Sequence, residues 1–222
     1  MIEGEGMFSL ARKLETSIQY KGKEYELDLS FDNVLLLFEL LNDRDCSELD
    51  KLMIAMNLLF KDQFEFDADE LVEVYNYIML NMIVQGQKEE EKYDLAGNVI
   101  EEGEEEKKKL YSLEADAQYI YASFLQDYKI NLFDMQGKLH WLEFNALLVS
   151  LSDDTMFKKV IDIRQKKPDK HMSQDDKNKL LELKQMYALG KTQEDIEFDA
   201  MDLAQKREYV LKRQAEEGER NG

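Results

Sequence analysis

Between Thr16 and Leu29 apolar and polar positions alternate. Thr16, Ile18 and Tyr20 lie on one side of Lys21-Gly22-Lys23, and Tyr25, Leu27 and Leu29 on the other. A period of two on both sides of a glycine predicts a β-hairpin, with Gly22 able to take a positive φ at no steric cost. A lone hairpin is marginal in water, so it needs a surface to lie on. From Ser30 the period becomes helical. Phe31, Val34, Leu35, Phe38 and Leu41 share one face behind a Ser30 cap. Ser47 and Asp50, at capping-box spacing, precede a stripe of Leu49, Leu52, Met53, Met56, Leu59 and Phe60. Asp67 and Glu70 open a third helix with Leu71, Val74, Tyr75, Ile78 and Met82 inward. Residues 1–86 thus read as a hairpin and three-helix module, with 1–14 as a loose leader.

The pattern then breaks. Residues 87–110 are almost all charge, with Glu89–Glu91, Glu104–Glu106 and Lys107–Lys109 around Gly97 and Gly103. Such a stretch has no apolar area to offset its ordering entropy and reads as an acidic linker or insertion. Periodicity resumes over 111–190. A helix capped by Ser112 carries Leu113, Ala117, Ile120, Tyr121, Phe124, Leu125 and Tyr128. After a connector, Lys129–Lys138, the run Leu139–Leu151 is apolar nearly all round, as in a helix buried on several sides. Ser152-Asp153-Asp154 offers a cap for Phe157, Val160, Ile161 and Arg164, and Pro168 ends that helix. Ser173 and Asp176 open another, with Leu180, Leu183, Met186 and Tyr187, stopped by Gly190. Residues 191–222 form an amphipathic helical tail with a thin stripe of Ile196, Ala200, Leu203 and Val210 and a frayed end. The predicted fold is mainly α: an N-terminal β-hairpin plus two small helical modules joined by an acidic linker.

Composition sharpens this picture in two ways. The single Cys46 forms no internal disulfide, no run spans a bilayer, and residues 1–20 lack a signal-peptide pattern, so a cytoplasmic protein is expected. Against 29 basic residues stand 48 acidic ones, a net charge of −19. Nucleic-acid backbones and anionic membranes repel such a chain, because binding them relies on Lys and Arg neutralising phosphates. What remains is charge that keeps a sticky protein soluble, or charge that imitates a nucleic acid for a basic partner.

Candidate chemistry is sparse. Cys46, His140 and His171 are the only soft or near-neutral titrating groups, and Cys46 lies in the charged turn Asp43-Arg44-Asp45 as an ordinary thiol. His140 precedes Trp141 as a packing residue, and two isolated histidines fall short of a zinc site. Asp94–Glu106 lacks a calcium-loop register, and Asp153 and Asp154 read as caps. No phosphate loop, nucleophile elbow or zincin motif occurs, so no enzyme, cofactor or metal site is expected. The chain does offer aromatic and Met-rich helix faces of the sort that pack internally or receive a partner helix. The candidate partner-binding residues are Tyr119, Tyr121, Phe124, Tyr128, Trp141 and Phe157.

Five segments resemble a known family: Asp116–Phe124 (DAQYIYASF), Leu139–Trp141 (LHW), Asp154–Phe157 (DTMF), Ile161–Arg164 (IDIR) and Tyr187–Leu189 (YAL). With the Gly22-Lys23 hairpin and the helix through Phe38, they are similar to a bacteriophage family named after gene product fifteen, found in long-tailed phages and prophages of Gram-positive bacteria. The resemblance covers about residues 14–190. Where the family has a second Trp and a Gly-Leu-Pro turn, this chain has Leu142 and Ser150-Leu151-Ser152.

Members are encoded in the tail gene block just before the tape-measure gene. The resemblance therefore implies a tail assembly chaperone that binds the tape-measure protein and helps recruit tail-tube subunits. A homo-oligomer or a second tail chaperone is the further implied partner, with no nucleic acid and no membrane. The implied location is the host cytoplasm and not the mature virion. Two rivals stand beside this reading: a structural tail protein that stays in the particle, and an acidic inhibitor of a basic host protein.

Overall fold

The computed structural model describes residues 2–3, 8–84, 110–169, 172–190 and Tyr209. The acidic span from 87 to 109, His171 and, apart from Tyr209, the stretch 192–214 with its frayed end lie outside the described residues. Seven α-helices and one small antiparallel sheet appear among the described residues, so the chain is mainly α. Two compact units divide the chain: Met1–Lys107 with Gln118–Lys158, and Lys108–Ala117 with Lys159–Gly222.

In the first unit, β2 (Ser17–Tyr20) and β3 (Lys23–Glu26) pair antiparallel around a two-residue turn. Lys21 and Gly22 both take positive φ, 51° and 79°, the geometry whose twist matches a tight hairpin. The turn is thus one residue shorter than the Lys21–Lys23 stretch that sequence suggests. Within the leader, β1 (Ile2–Glu3) adds a third strand beside β2, an element that two residues of pattern could not announce. Ile18, Tyr20, Tyr25, Leu27 and Leu29 are buried, so the alternation turns one face inward. Beyond β3 the chain keeps pairing: Leu27 bridges Phe60, with Asp28 N–H donating to Leu59 O and Lys61 N–H to Glu26 O.

Helices α1 (Phe31–Asn42), α2 (Glu48–Leu59) and α3 (Ala68–Ile78) supply the surface the hairpin needs. Val34, Leu37, Ala55, Met56, Leu59, Val74 and Ile78 are buried, each large one contributing roughly 1.5–3 kcal/mol. Asp67 and Glu70 form a reciprocal capping box, and Ser47 accepts from Asp50 N–H, as their spacing predicts. Ser30 departs from expectation. It occupies the cap position of α1, but its N–H and hydroxyl both donate to Asp28 Oδ1. Buried Asn33 ties the two ends together, donating to Asp28 O and Leu58 O.

After α3, Met79–Ile83 winds as a π-turn, with Val84 N–H reaching back to Met79 O. The helix starting near Ser112 begins later than predicted. Ser112 accepts from Ala115 N–H, and α4 runs Ala117–Tyr128. A 3₁₀ turn (Leu132–Met135) leads to α5 (Trp141–Val149), then α6 (Met156–Gln165) and α7 (Gln174–Met186). Sequence assigns the α6 cap to Ser152-Asp153-Asp154, but Thr155 holds that place and Lys158 N–H bonds to its Oγ1. Ser152 is drawn instead to Asp127, donating through N–H and hydroxyl. The expected all-round burial of 139–151 is partial: Trp141, Leu142, Phe144 and Leu148 are buried, while Val149 is exposed. Helix α6 stops at Gln165, three residues before Pro168. Ser173 caps α7 through Asp176 N–H, as predicted.

Candidate functional site

Among the described residues no group of three or more His, Cys, Asp and Glu could hold a metal, and no helix is long and apolar enough to cross a membrane. Cys46 is half-buried in the turn between α1 and α2. His140 is buried at the N-terminus of α5. What the fold does present is aromatic surface, and it sorts the six candidate residues into two groups.

Phe124, Trp141 and Phe157 are core. In the first unit Phe144 stacks on Phe31, Phe124 and Trp141 at centroid distances of 4.9, 5.2 and 5.7 Å. Phe38 meets Trp141 edge-on at 5.4 Å, and Tyr128 meets Phe124 at 5.6 Å. Such pairs each add about 0.5–1.5 kcal/mol beyond their buried area. Trp141 also donates from Nε1 to Ile83 O at 2.9 Å in the π-turn, which satisfies a buried carbonyl. Phe157 N–H donates to Ser123 Oγ. These side chains hold the scaffold.

Tyr119, Tyr121 and Tyr128 are half-buried. Tyr128 is committed at its tip, donating to Leu147 O, and burial with the Asp127 charge raises its phenol above the usual range. Tyr119 lies on a different side of α4 from the others, as four-and-three spacing requires. Tyr121 and Tyr128 share a flank with Leu125, which is 43% exposed. Against Tyr121 lies Phe133, its ring 5.1 Å away and 68% exposed.

Phe133 is held outward by its own turn. Asn131 Oδ1 accepts from Phe133 N–H at 3.1 Å and Asn131 Nδ2 donates to Asp134 Oδ2 at 2.8 Å, so the 3₁₀ turn is capped at its start. Tyr121, Leu125 and Phe133 therefore form an outward apolar patch on a braced frame. Sequence reasoning reaches Tyr121, places Leu125 on the apolar stripe of the helix without making it a partner residue, and misses Phe133. The available signal is Phe133 inside the short connector between two helices, with an Asn cap two residues before it. Leu49 and Met53 make a second exposed pair on α2.

The motifs behind the resemblance come together as braces. In the second unit Arg164 bonds Asp116 bidentately and also donates to Tyr187 O and Leu110 O. In the first, Leu139–Trp141 pairs with the chain around Ser30. A family model described as Bacteriophage Gp15 protein matches residues 10–189. No curated protein and no solved structure matches the chain.

Proposed function

The chain belongs to the bacteriophage Gp15 family, among phage structural or assembly-related proteins, and from that premise we propose that it is a tail assembly chaperone. Its client is the tape-measure protein, a long helical chain with apolar stripes that aggregates unless they are covered. The observation that carries the reading is the Tyr121–Leu125–Phe133 patch, an outward apolar face on a braced scaffold in a chain of net charge −19. An amphipathic helix laid on that face buries apolar area on both sides, while the shared negative charge keeps the loaded complexes apart. Tail-tube subunits then displace the chaperone from the client. The protein acts by binding, without catalysis or cofactor, in the host cytoplasm, and leaves before the virion matures.

Co-expression with the tape-measure protein tests this. The soluble fraction of the client should rise several-fold with the native chain and fall back with the double variant L125E/F133K. Equal client solubility with and without the chaperone overturns the reading. Purified virions separate the alternatives: a chaperone is absent from them by mass spectrometry, whereas a structural tail protein is retained.

A further inference from the structure

His140 caps α5 where Ser, Asn or Asp caps at least as well. Its Nδ1 accepts from Leu142 N–H at 3.1 Å, which fixes the neutral ring with its proton on Nε2. That Nε2 is buried without a hydrogen-bond partner, the residue being only 9% exposed. The same residue sits in a backbone bridge. It pairs with Ser30, flanked by Phe31 N–H to Leu139 O at 2.9 Å and Trp141 N–H to Leu29 O at 2.8 Å. One imidazole therefore starts α5 and stands where α5 is tied to α1.

Glu143 on α5 accepts from the His140 N–H, and the Glu15 backbone near the ring falls short of hydrogen-bond geometry with Nε2. Across the bridge, Asp28 is occupied by Ser30. Burial holds the imidazole below the ordinary histidine range, and the opposing pulls of Glu15 and Glu143 do not offset it.

We infer that His140 is an acid-operated latch: a proton taken from solvent onto Nδ1 cancels the α5 cap and loosens the bridge to residues 29–31. Protonated Nδ1 is a donor and faces another donor, the Leu142 N–H, so the cap bond turns repulsive. The sign follows from the depressed affinity of the folded form. Stability is full above about pH 6.5, the value of a free histidine. It declines as pH falls from there toward the lower folded value, because the opened form takes up the proton first.

Hydrogen exchange of the full chain at pH 7.5 and 5.5 tests the latch, read as protection factors over residues 141–149 in the native protein and in H140N. Asn accepts from the Leu142 N–H at both pH values. Native protection should drop, by up to about tenfold for each pH unit below the free value until the folded value is reached. H140N should hold its protection. Equal loss in both proteins, or none in the native one, overturns the inference. Should H140N fail to fold at pH 7.5, direct NMR titration of the His140 ring decides, and a value at or above that of a free histidine overturns it.

Discussion

Arg164 grips Asp116 through two parallel hydrogen bonds, Nη1 to Oδ2 and Nη2 to Oδ1, each 2.7 Å long. The carboxylate is almost wholly buried and also accepts from Ser112 N–H, while Arg164 Nε donates to Tyr187 O at 2.6 Å. One fork thus collects three separate stretches of the second unit. A planar guanidinium can do this and an ammonium cannot.

Removing one partner should therefore cost far more than removing both. R164M leaves a buried carboxylate uncompensated and is expected to destabilise by about 3–5 kcal/mol. R164M/D116L should recover most of that loss, minus about 1 kcal/mol for the orphaned Ser112 N–H. Urea unfolding followed by far-UV circular dichroism measures both. A single-variant loss below about 1 kcal/mol counts against a buried brace.

How far the sequence discloses this architecture depends on the range of each interaction. The caps at Ser47, Asp67 and Ser173 are local, three residues from donor to acceptor, and were legible in spacing alone. Asp116 and Arg164 stand 48 residues apart, and nothing in either neighbourhood names the other. Ser30 misled because Asp28, two residues earlier, competes for its hydroxyl. The aromatic stripe of α4 was legible as a stripe. Which of its members face solvent depends on Phe144 filling one side of it, with Phe31 stacked on Phe144, and that is tertiary information.

The hairpin turn separates backbone strain from contact. Gly22 sits at φ +79° with nothing within 4 Å of an added Cβ, so G22A meets only the conformational penalty. A loss of about 1–2 kcal/mol is expected. Lys21 carries a positive φ with a full side chain, its ammonium bonded to Glu70. K21N trades that exposed ion pair for a residue at ease in the left-handed region and should be neutral or slightly stabilising. Thermal unfolding of the two variants, compared with the native chain, reads the difference.

Trp141 combines packing with one specific hydrogen bond. W141F keeps an aromatic ring against Phe38 and Phe144 but strands the Ile83 carbonyl of the π-turn. The expected cost is about 1–3 kcal/mol for that group, plus the volume lost. Exchange protection should fall first in residues 79–84 if the bond fastens the π-turn. Unchanged protection there would assign the whole cost to packing.

Phe124 and Phe133 put scaffold and surface to a direct comparison, since each touches the aromatic system around α4 and only one faces water. Phe124 is fully buried against Phe144 and Tyr128, so F124A opens a cavity in a close-packed core and should cost about 3–5 kcal/mol. Among the described residues Phe133 has one aromatic neighbour, Tyr121, and it is largely solvated; F133S should cost under about 1 kcal/mol. A residue so exposed adds little stability of its own, and its apolar area is available to a second chain. The two variants therefore predict opposite dissociations. F124A lowers the unfolding midpoint strongly, and any loss of client solubility follows from unfolding. F133S should leave the midpoint nearly unchanged and, on the proposed chaperone function, weaken the rescue of the tape-measure protein in co-expression. If F133S rescues as well as the native chain, the partner face lies elsewhere, with the Leu49–Met53 pair on α2 the next surface to alter.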